Sequence, residues 1–288
     1  MENTEKNKLE KSTLYLVGTP IGNLSDLSER AKKVLSEVDF IAAEDTRNSM
    51  KLCSVLGIKK ELVSYYEHNK KSSGEKIVSR LLAGESCALV TDAGMPAISD
   101  PGEDIVRLCA DAGITVTVIP GPCAAVSALA LSALSTSRFT FEGFLPAQKS
   151  ERKKRLTSLE KEERTMIFYE APHKLSATLT DMAEILGDSR KISLCRELTK
   201  LNEEVIRTTL CEAVKLYSEK EPRGEYVLII EGASEAGIGD DSENPLLALS
   251  PAEHVEHYIN SGLSKMDAIK AAAKDRKISK SEMYKLVL

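Results

Sequence analysis

The chain has 288 residues, of which 42% are apolar and 29% charged, and its formal net charge is −5. This composition predicts a globular protein with enough apolar residues for two domains and a small extra element. Proteins that hold nucleic acid by bulk electrostatics are usually basic, so the charge argues against a general nucleic-acid binder. No apolar run is long enough for a bilayer and the first residues lack a secretory signal, so we expect a cytoplasmic protein without membrane contact.

The six cysteines contain no C-x-x-C pair, which argues against a zinc site. We expect reduced, mostly buried thiols. His254 and His257 lie three residues apart, but they lack an acidic or cysteine partner at ligand spacing. We therefore predict no metal.

Short apolar runs alternate with helical patterns through the first 120 residues. Strands are predicted at 14–17, 40–43, 61–65, 87–90 and 115–119, and helices at 28–38, 48–56, 73–83 and 102–112. This alternation is typical of an α/β domain with a mostly parallel sheet.

The second half has a different pattern. After a helix of small residues at 124–134, strands are predicted at 139–144, 165–169, 191–195, 204–209 and 226–230, with one helix at 211–218. This order favours a mixed sheet in a second α/β domain. We predict a disordered tail at 1–11, α/β domains at 12–121 and 122–233, a polar linker at 234–250 and a helical unit at 251–288.

The helical unit contains two serine-led helix starts, at Ser264 and Ser279, each with an acidic residue in the first turn. Two short helices joined by a tight turn are typical of a helix-turn-helix. A role in binding nucleic acid and a role in packing on the body or on a second copy both remain open.

Three loops that follow predicted strands have unusual compositions. Residues 17–23 carry two glycines but no G-x-G-x-x-G, residues 91–102 contain two glycines, two prolines and two aspartates, and residues 119–128 begin with Ile-Pro-Gly-Pro. Proline and glycine give such loops a stiff, special shape, and strand ends are where open α/β sheets bind ligands. The absence of G-x-x-x-x-G-K-[ST] argues against a P-loop NTPase.

Taken together, these motifs resemble the tetrapyrrole methylase family, and within it the branch that methylates a cytidine 2′-oxygen of small-subunit ribosomal RNA. The matching segments are V-G-T-P-I-G-N-L-x-D-L-S, A-E-D-T-R, T-D-A-G-M-P-A-I-S-D-P-G, I-P-G-P-C-A-A, F-Y-E-A-P-H-K, C-R-E-L-T-K and G-E-Y-V. The similarity runs from about Thr13 to Gly232, and the helical tail resembles that branch as well.

The resemblance implies the tetrapyrrole-methylase fold, with two α/β domains, a cofactor cleft between them and a small C-terminal helical unit. It further implies S-adenosylmethionine as cofactor, a homodimer, and 2′-O-methylation of a cytidine in the decoding region of 16S ribosomal RNA. By position, it assigns the cofactor to Pro20, Gly94, Met95, Pro96, Ile98, Cys123, Ala124 and Tyr169. Met95 departs from the branch, which often has threonine there.

A base near the reacting hydroxyl would help methyl transfer. The polar candidates follow predicted strands: Glu44, Asp45, Glu170 and Glu197 as bases, and Arg47, His68, His173, Lys174, Arg196 and Lys200 as RNA contacts. The sequence does not choose the base. A capped helix start or a structural ion-pair network would explain several of these residues equally well, and the basic run at 149–155 fits an RNA-contacting loop or a solvated helix face.

Two other functions compete with RNA methylation. A methylase of the same fold could act on a tetrapyrrole, which would leave the helical tail and the basic segments without an obvious use. A non-catalytic RNA-binding protein would leave the three shaped loops unexplained. The missing dinucleotide fingerprint disfavours an oxidoreductase.

Overall fold

The computed structural model describes residues 8–233, 245–276 and 278–287. These residues fall into two compact units, Met1–Glu231 and Gly232–Leu288. Of the predicted tail, residues 1–7 lie outside the described part, whereas Leu9 packs against the core of the first sheet. Most of the predicted linker, residues 234–244, also lies outside it.

The first sheet has five parallel strands in the order β3-β2-β4-β1-β5. The strands are β1 (Thr13–Val17), β2 (Phe40–Ala43), β3 (Glu61–Ser64), β4 (Cys87–Val90) and β5 (Thr115–Ile119), and the helices that connect them are α1 (Glu29–Glu37), α2 (Thr46–Val55), α3 (Lys70–Leu82) and α4 (Gly102–Asp111). Every residue of β2 and β4 is buried, as expected for central strands covered on both faces.

This strand order positions the three unusual loops. Strand β1 lies between β4 and β5 and runs parallel to both. The carboxyl ends of the three strands therefore meet at one edge of the sheet, and the loops that follow them lie side by side. Open α/β sheets bind ligands at this edge.

The second sheet is mixed, with the order β6-β7-β10-β8-β9. Its strands are β6 (Phe139–Phe144), β7 (Thr165–Glu170), β8 (Lys191–Arg196), β9 (Glu204–Thr209) and β10 (Tyr226–Ile230), with helices α5 (Ala124–Leu131), α6 (Lys149–Leu159), α7 (Pro172–Leu186) and α8 (Leu210–Glu219). Only β6 and β7 pair in parallel; the other pairs are antiparallel. Small residues of α5 pack closely on one face, and the main core of the second sheet lies on the other.

Helix α7 has fifteen residues and was absent from the sequence prediction. Pro172 occupies its first turn, where a missing N–H does not interrupt the helix. Leu175, Leu179, Met182 and Leu186 recur at helical spacing and are buried in the core of the second sheet. The apolar period was therefore present in the sequence, and Pro172 was its start signal.

The basic run at 149–155 forms the first part of α6, and three of its cations pair with carboxylates. The Arg152 Nε donates to Asp181 Oδ2 over 2.8 Å, and both side chains are buried. Lys153 pairs with Glu184 at 2.6 Å. The segment is thus a helix held by ion pairs rather than a loop.

The second unit contains a 3-10 turn (Pro245–Ala248) and helices α9 (Pro251–Asn260), α10 (Lys265–Asp275) and α11 (Lys280–Val287). Both predicted helix starts are present, because Ser264 Oγ and Ser279 Oγ accept backbone N–H groups three residues on. His254 is fully buried and bonded to Asp275 and Arg276, which accounts for it structurally. None of the described helices is long and apolar enough to cross a membrane.

Replacing Arg152 with alanine is expected to destabilise the larger unit. The substitution leaves the Asp181 carboxylate buried without its partner, which costs about 3–5 kcal/mol. Urea unfolding followed by circular dichroism measures the loss. Lys154→Ala, on the exposed face of the same helix, is the control and should change the free energy of unfolding by less than about 0.5 kcal/mol. Equal effects of the two substitutions would contradict a structural role for the pair.

Candidate active site

The loops after β1, β4 and β5 touch through their backbones. Thr19 N–H donates to the Gly94 carbonyl over 2.9 Å, and Gly94 N–H donates back to the Thr19 carbonyl over 3.1 Å. A Cβ on Gly18 would lie 2.7 Å from the Gly121 Cα, and a Cβ on Gly121 would lie 2.9 Å from the Gly18 Cα. Neither position has room for a side chain, so the three loops form one continuous backbone surface.

Residues 91–101 hold a strained shape at this surface. Ala97 and Ser99 adopt left-handed φ values of 67° and 65°, which are unfavourable for side chains with a Cβ. Asp100 Oδ1 stabilises the turn by accepting from Ala97 N–H (2.9 Å) and Gly102 N–H (2.7 Å). Because of these two hydrogen bonds, the carboxylate of Asp100 is part of the loop architecture. Burial raises the pKa of this carboxyl group.

A cavity of about 640 Å³ opens between these loops and the second sheet. This volume lies within the range of small-molecule sites, roughly 300–1,000 Å³. The first sheet contributes Ile21, Glu44, residues 91–95 and residues 98–100; the second contributes Cys123, Ala124, Phe144, residues 169–173, Cys195, Glu197, Leu198, Lys200 and residues 225–227. The cavity thus combines apolar side chains with several carboxylates.

Six of the eight predicted cofactor residues line this cavity: Gly94, Met95, Ile98, Cys123, Ala124 and Tyr169. Pro20 and Pro96 belong to the same loops but do not line it. Tyr169 packs edge-on against Phe141, with ring centroids 5.1 Å apart, and burial raises the pKa of its hydroxyl. The structure brings the set together, and the contact of each residue with the cofactor stays a prediction.

The four predicted bases have different environments. Glu44 lines the cavity and accepts from Thr91 Oγ1 over 2.7 Å. Asp45 does not line it: its carboxylate accepts from Arg47 N–H over 2.8 Å and pairs with the Arg47 guanidinium at 2.7 Å. These hydrogen bonds lower the pKa of Asp45 to about 2. Asp45 is thus the capping residue of α2, as one interpretation of the sequence predicted.

The other two predicted bases, Glu170 and Glu197, line the cavity, and the carboxylate of each accepts hydrogen bonds. Glu170 is buried and accepts from Thr178 Oγ1 over 2.6 Å and from Ala171 N–H over 2.9 Å. Glu197 accepts from the backbone N–H of Glu225 over 2.9 Å. That hydrogen bond, followed by the Lys200 ammonium, lowers the pKa of Glu197. The carboxylate of Glu197 is thereby stabilised as an ion, whereas that of Glu170 is held in place by neutral donors.

The predicted RNA contacts also divide into residues that line the cavity and residues that do not. His173 and Lys200 line the cavity, whereas Arg47, His68, Lys174 and Arg196 do not. Arg196 Nε pairs with Glu204 at 3.0 Å. The ion-pair alternative therefore describes Arg47, Arg196 and also Lys200. His173 and Lys200 are the two that face the cavity.

Asp92 is not among the predicted bases, but it lines the cavity two residues after the end of β4. Its signal was the position, because Asp92 is among the first polar residues after a fully buried strand. Burial and then the neighbouring Glu44 raise the pKa of Asp92. A carboxylate in this state is suited to accepting a proton.

Residues 13–214 match the family of Tetrapyrrole (Corrin/Porphyrin) Methylases. The chain belongs to this family. The Ribosomal RNA small subunit methyltransferase I of Bacillus subtilis is 50% identical over 277 residues, covering 96% of this chain and 94% of the relative. The protein of the same name from Halalkalibacterium halodurans is 49% identical over 277 residues, covering 96% and 95%.

A solved uroporphyrin-III-C-methyltransferase from Thermus thermophilus has the same fold, with a TM-score of 0.56 at 19% identity over 76% of this chain and 94% of that chain. The predicted tetrapyrrole-methylase fold is thereby confirmed. The protein is a methyltransferase, and its methyl donor is S-adenosylmethionine.

The cavity suits this methyl donor. Gly94, with a left-handed φ of 87°, presents bare backbone to the space, so a ligand can approach the main chain closely. Met95, Ile98 and Ala124 offer apolar surface for a base or ribose. Carboxylates on the same walls favour a cationic sulfonium electrostatically. The residues present therefore fit the cofactor.

Gly18→Ala is expected to weaken S-adenosylmethionine binding at least tenfold, about 1.4 kcal/mol, because the new Cβ separates the loops at Gly121. Isothermal titration calorimetry measures the affinity. Gly57→Ala is the matched control: Gly57 has a left-handed φ of 69° and open space around it, so strain lowers stability there without touching the cavity. Unchanged affinity in the Gly18 variant would refute the backbone contact.

Proposed function

We propose that this protein transfers a methyl group from S-adenosylmethionine to the 2′-oxygen of a cytidine in the decoding region of 16S ribosomal RNA. The observation that carries the proposal is the meeting of the three backbone-packed loops with a carboxylate-lined cavity. The near-full-length relatives named as small-subunit ribosomal RNA methyltransferases support an RNA substrate. The cytidine and its 2′-oxygen rest on the motif resemblance.

Bound in the cavity, S-adenosylmethionine would supply an electrophilic methyl group together with its leaving group. The protein then has two tasks, which are to hold a hydroxyl in line with that methyl and to accept the hydroxyl proton. The loops around Gly94, Cys123 and Tyr169 are proposed to hold the donor. Their rigid backbone contacts provide the orientation on which such a reaction depends.

His173 and Lys200 are proposed to face the RNA. His173 is exposed at the start of α7 and at the cavity, where a phosphate or a base can reach it. Lys200 lies between Glu197 and Glu225 at 2.9 and 2.7 Å, which fixes its ammonium at the cavity wall. With a net charge of −5, the protein depends on such local groups to hold RNA.

Two further properties belong to the proposal. An RNA substrate carried by ribosomes supports a cytoplasmic location, and the family resemblance supports a homodimer. Light scattering coupled to gel filtration tests the dimer directly: a mass near twice 31.5 kDa is expected, and a mass near 31.5 kDa would contradict it.

Incubation with labelled S-adenosylmethionine and small ribosomal subunits that lack the modification tests the reaction. After nucleoside digestion, we expect the label in 2′-O-methylcytidine, and none when the subunits already carry the modification. Label in a different nucleoside would contradict the proposed position. Label in a tetrapyrrole, with none in RNA, would favour the competing activity of the same fold.

A further inference from the structure

Methylation of a ribose hydroxyl releases a proton, and the cavity offers several carboxylates to take it. This inference rests on the proposed function, because it concerns the same reaction. The carboxylates that line the cavity are Glu44, Asp92, Asp100, Glu170, Glu197 and Glu225. Their hydrogen bonds distinguish those that stabilise the structure from those free to accept a proton.

Two of the six each accept two hydrogen bonds of 2.9 Å or less from neutral donors. Asp100 Oδ1 accepts the backbone N–H groups of Ala97 and Gly102 and maintains the strained loop. Glu170 is 4% exposed, with one oxygen 2.6 Å from the Thr178 hydroxyl and the other 2.9 Å from Ala171 N–H. Protonating either carboxylate would weaken the hydrogen bonds that hold its segment.

Two more are bound to the same ammonium. Lys200 Nζ lies 2.9 Å from Glu197 Oε1 and 2.7 Å from Glu225 Oε2. The backbone N–H of Glu225 and the Lys200 ammonium hold the pKa of Glu197 below its usual range. A carboxylate stabilised as an ion in this way is a poor acceptor for a proton.

Glu44 and Asp92 remain, at the ends of β2 and β4. Glu44 Oε2 accepts the Thr91 hydroxyl over 2.7 Å. Asp92 has weaker bonds: the Asn48 amide lies 3.4 Å from its Oδ2, and the backbone N–H of Asp45 adds a minor contact. Its side chain is open to the cavity.

Burial and the charges around Asp92 together raise its pKa. Partial burial is the first cause that raises its pKa, and the negative charge of Glu44 is the second. The negative charge of Asp45 also raises the pKa of Asp92, by a smaller amount. Arg47, which pairs with Asp45, interacts electrostatically with Asp92 as well. Asp92 is the cavity carboxylate with the weakest hydrogen bonds and a like-charged neighbour at the same strand ends.

We propose that Asp92 is the catalytic base of the methyl transfer and that Glu44 tunes it. As the bond between the ribose oxygen and the methyl carbon forms, the bond between that carbon and sulfur breaks, and the hydroxyl proton moves to the Asp92 carboxylate. S-adenosylhomocysteine and the 2′-O-methyl ribose leave, and Asp92 returns its proton to water. Thr91 donates a hydrogen bond to Glu44 and so holds that carboxylate at the cavity.

Single-turnover methylation of small subunits at saturating S-adenosylmethionine tests this role. Asp92→Asn should slow the reaction by roughly 10²–10⁴-fold, the usual contribution of a general base. Its affinity for S-adenosylmethionine should stay within about threefold of the wild type, a difference of less than 1 kcal/mol. Asp111→Asn, an exposed aspartate at the end of α4, is the matched control and should behave as the wild type.

The pH profile separates chemistry from structure. Wild-type rates should rise with pH as Asp92 loses its proton, and this rise should vanish in Asp92→Asn. Asp92→Glu should restore part of the rate together with a pH-dependent limb. Glu44→Gln removes the like charge, so the midpoint of the limb should move to lower pH while most of the maximal rate is kept.

Three results would overturn the inference. Asp92→Asn with an unchanged rate and pH profile would exclude Asp92 as the base. A large loss of rate in Glu44→Gln, with Asp92→Asn active, would assign the base to Glu44. A tenfold loss of S-adenosylmethionine affinity in Asp92→Asn, with the rate intact at saturation, would make Asp92 a donor contact. If the wild type itself methylates no RNA, the proposed function fails instead, independently of any Asp92 variant.

Discussion

The backbone contact between Gly18 and Gly121, together with the paired hydrogen bonds between Thr19 and Gly94, is the constraint on which the rest of the site depends. It requires that β1 lie between β4 and β5, because only then do their three loops meet. It also requires glycine at Gly18 and Gly121, where the two loops approach each other most closely. The cavity therefore has its shape before any ligand binds, as a reaction that depends on orientation needs.

The charges of the site are arranged around this rigid surface. Most cavity carboxylates have a structural partner, such as Lys200 for Glu197 or the Thr178 hydroxyl for Glu170. An acidic lining suits a sulfonium donor, whereas the proposed RNA substrate depends on the basic side chains that face the cavity, His173 and Lys200. The net charge of −5 is thus compatible with an RNA substrate that is recognised at a shaped site.

Much of the fold could be predicted, because apolar runs followed by glycine-rich turns indicate buried parallel strands. Helix α7 is not among the predicted helices although its leucines recur at helical spacing and Pro172 marks its first turn. Contacts between residues that are far apart in the sequence could not be predicted. The pairing of Arg152 with Asp181 depends on how two helices pack, and the proximity of Asp92 to Glu44 depends on the strand order. Sequence spacing does not contain that information.

Hydrogen–deuterium exchange of the full chain, with and without S-adenosylmethionine, tests most directly whether the three loops and the facing strand ends form one donor site. Slower exchange on binding is expected in segments 18–23, 91–102 and 121–125 and at the second-sheet edge, residues 169–173 and 195–200. Protection confined to residues 251–287, or binding without protection of the three loops, would contradict this expectation.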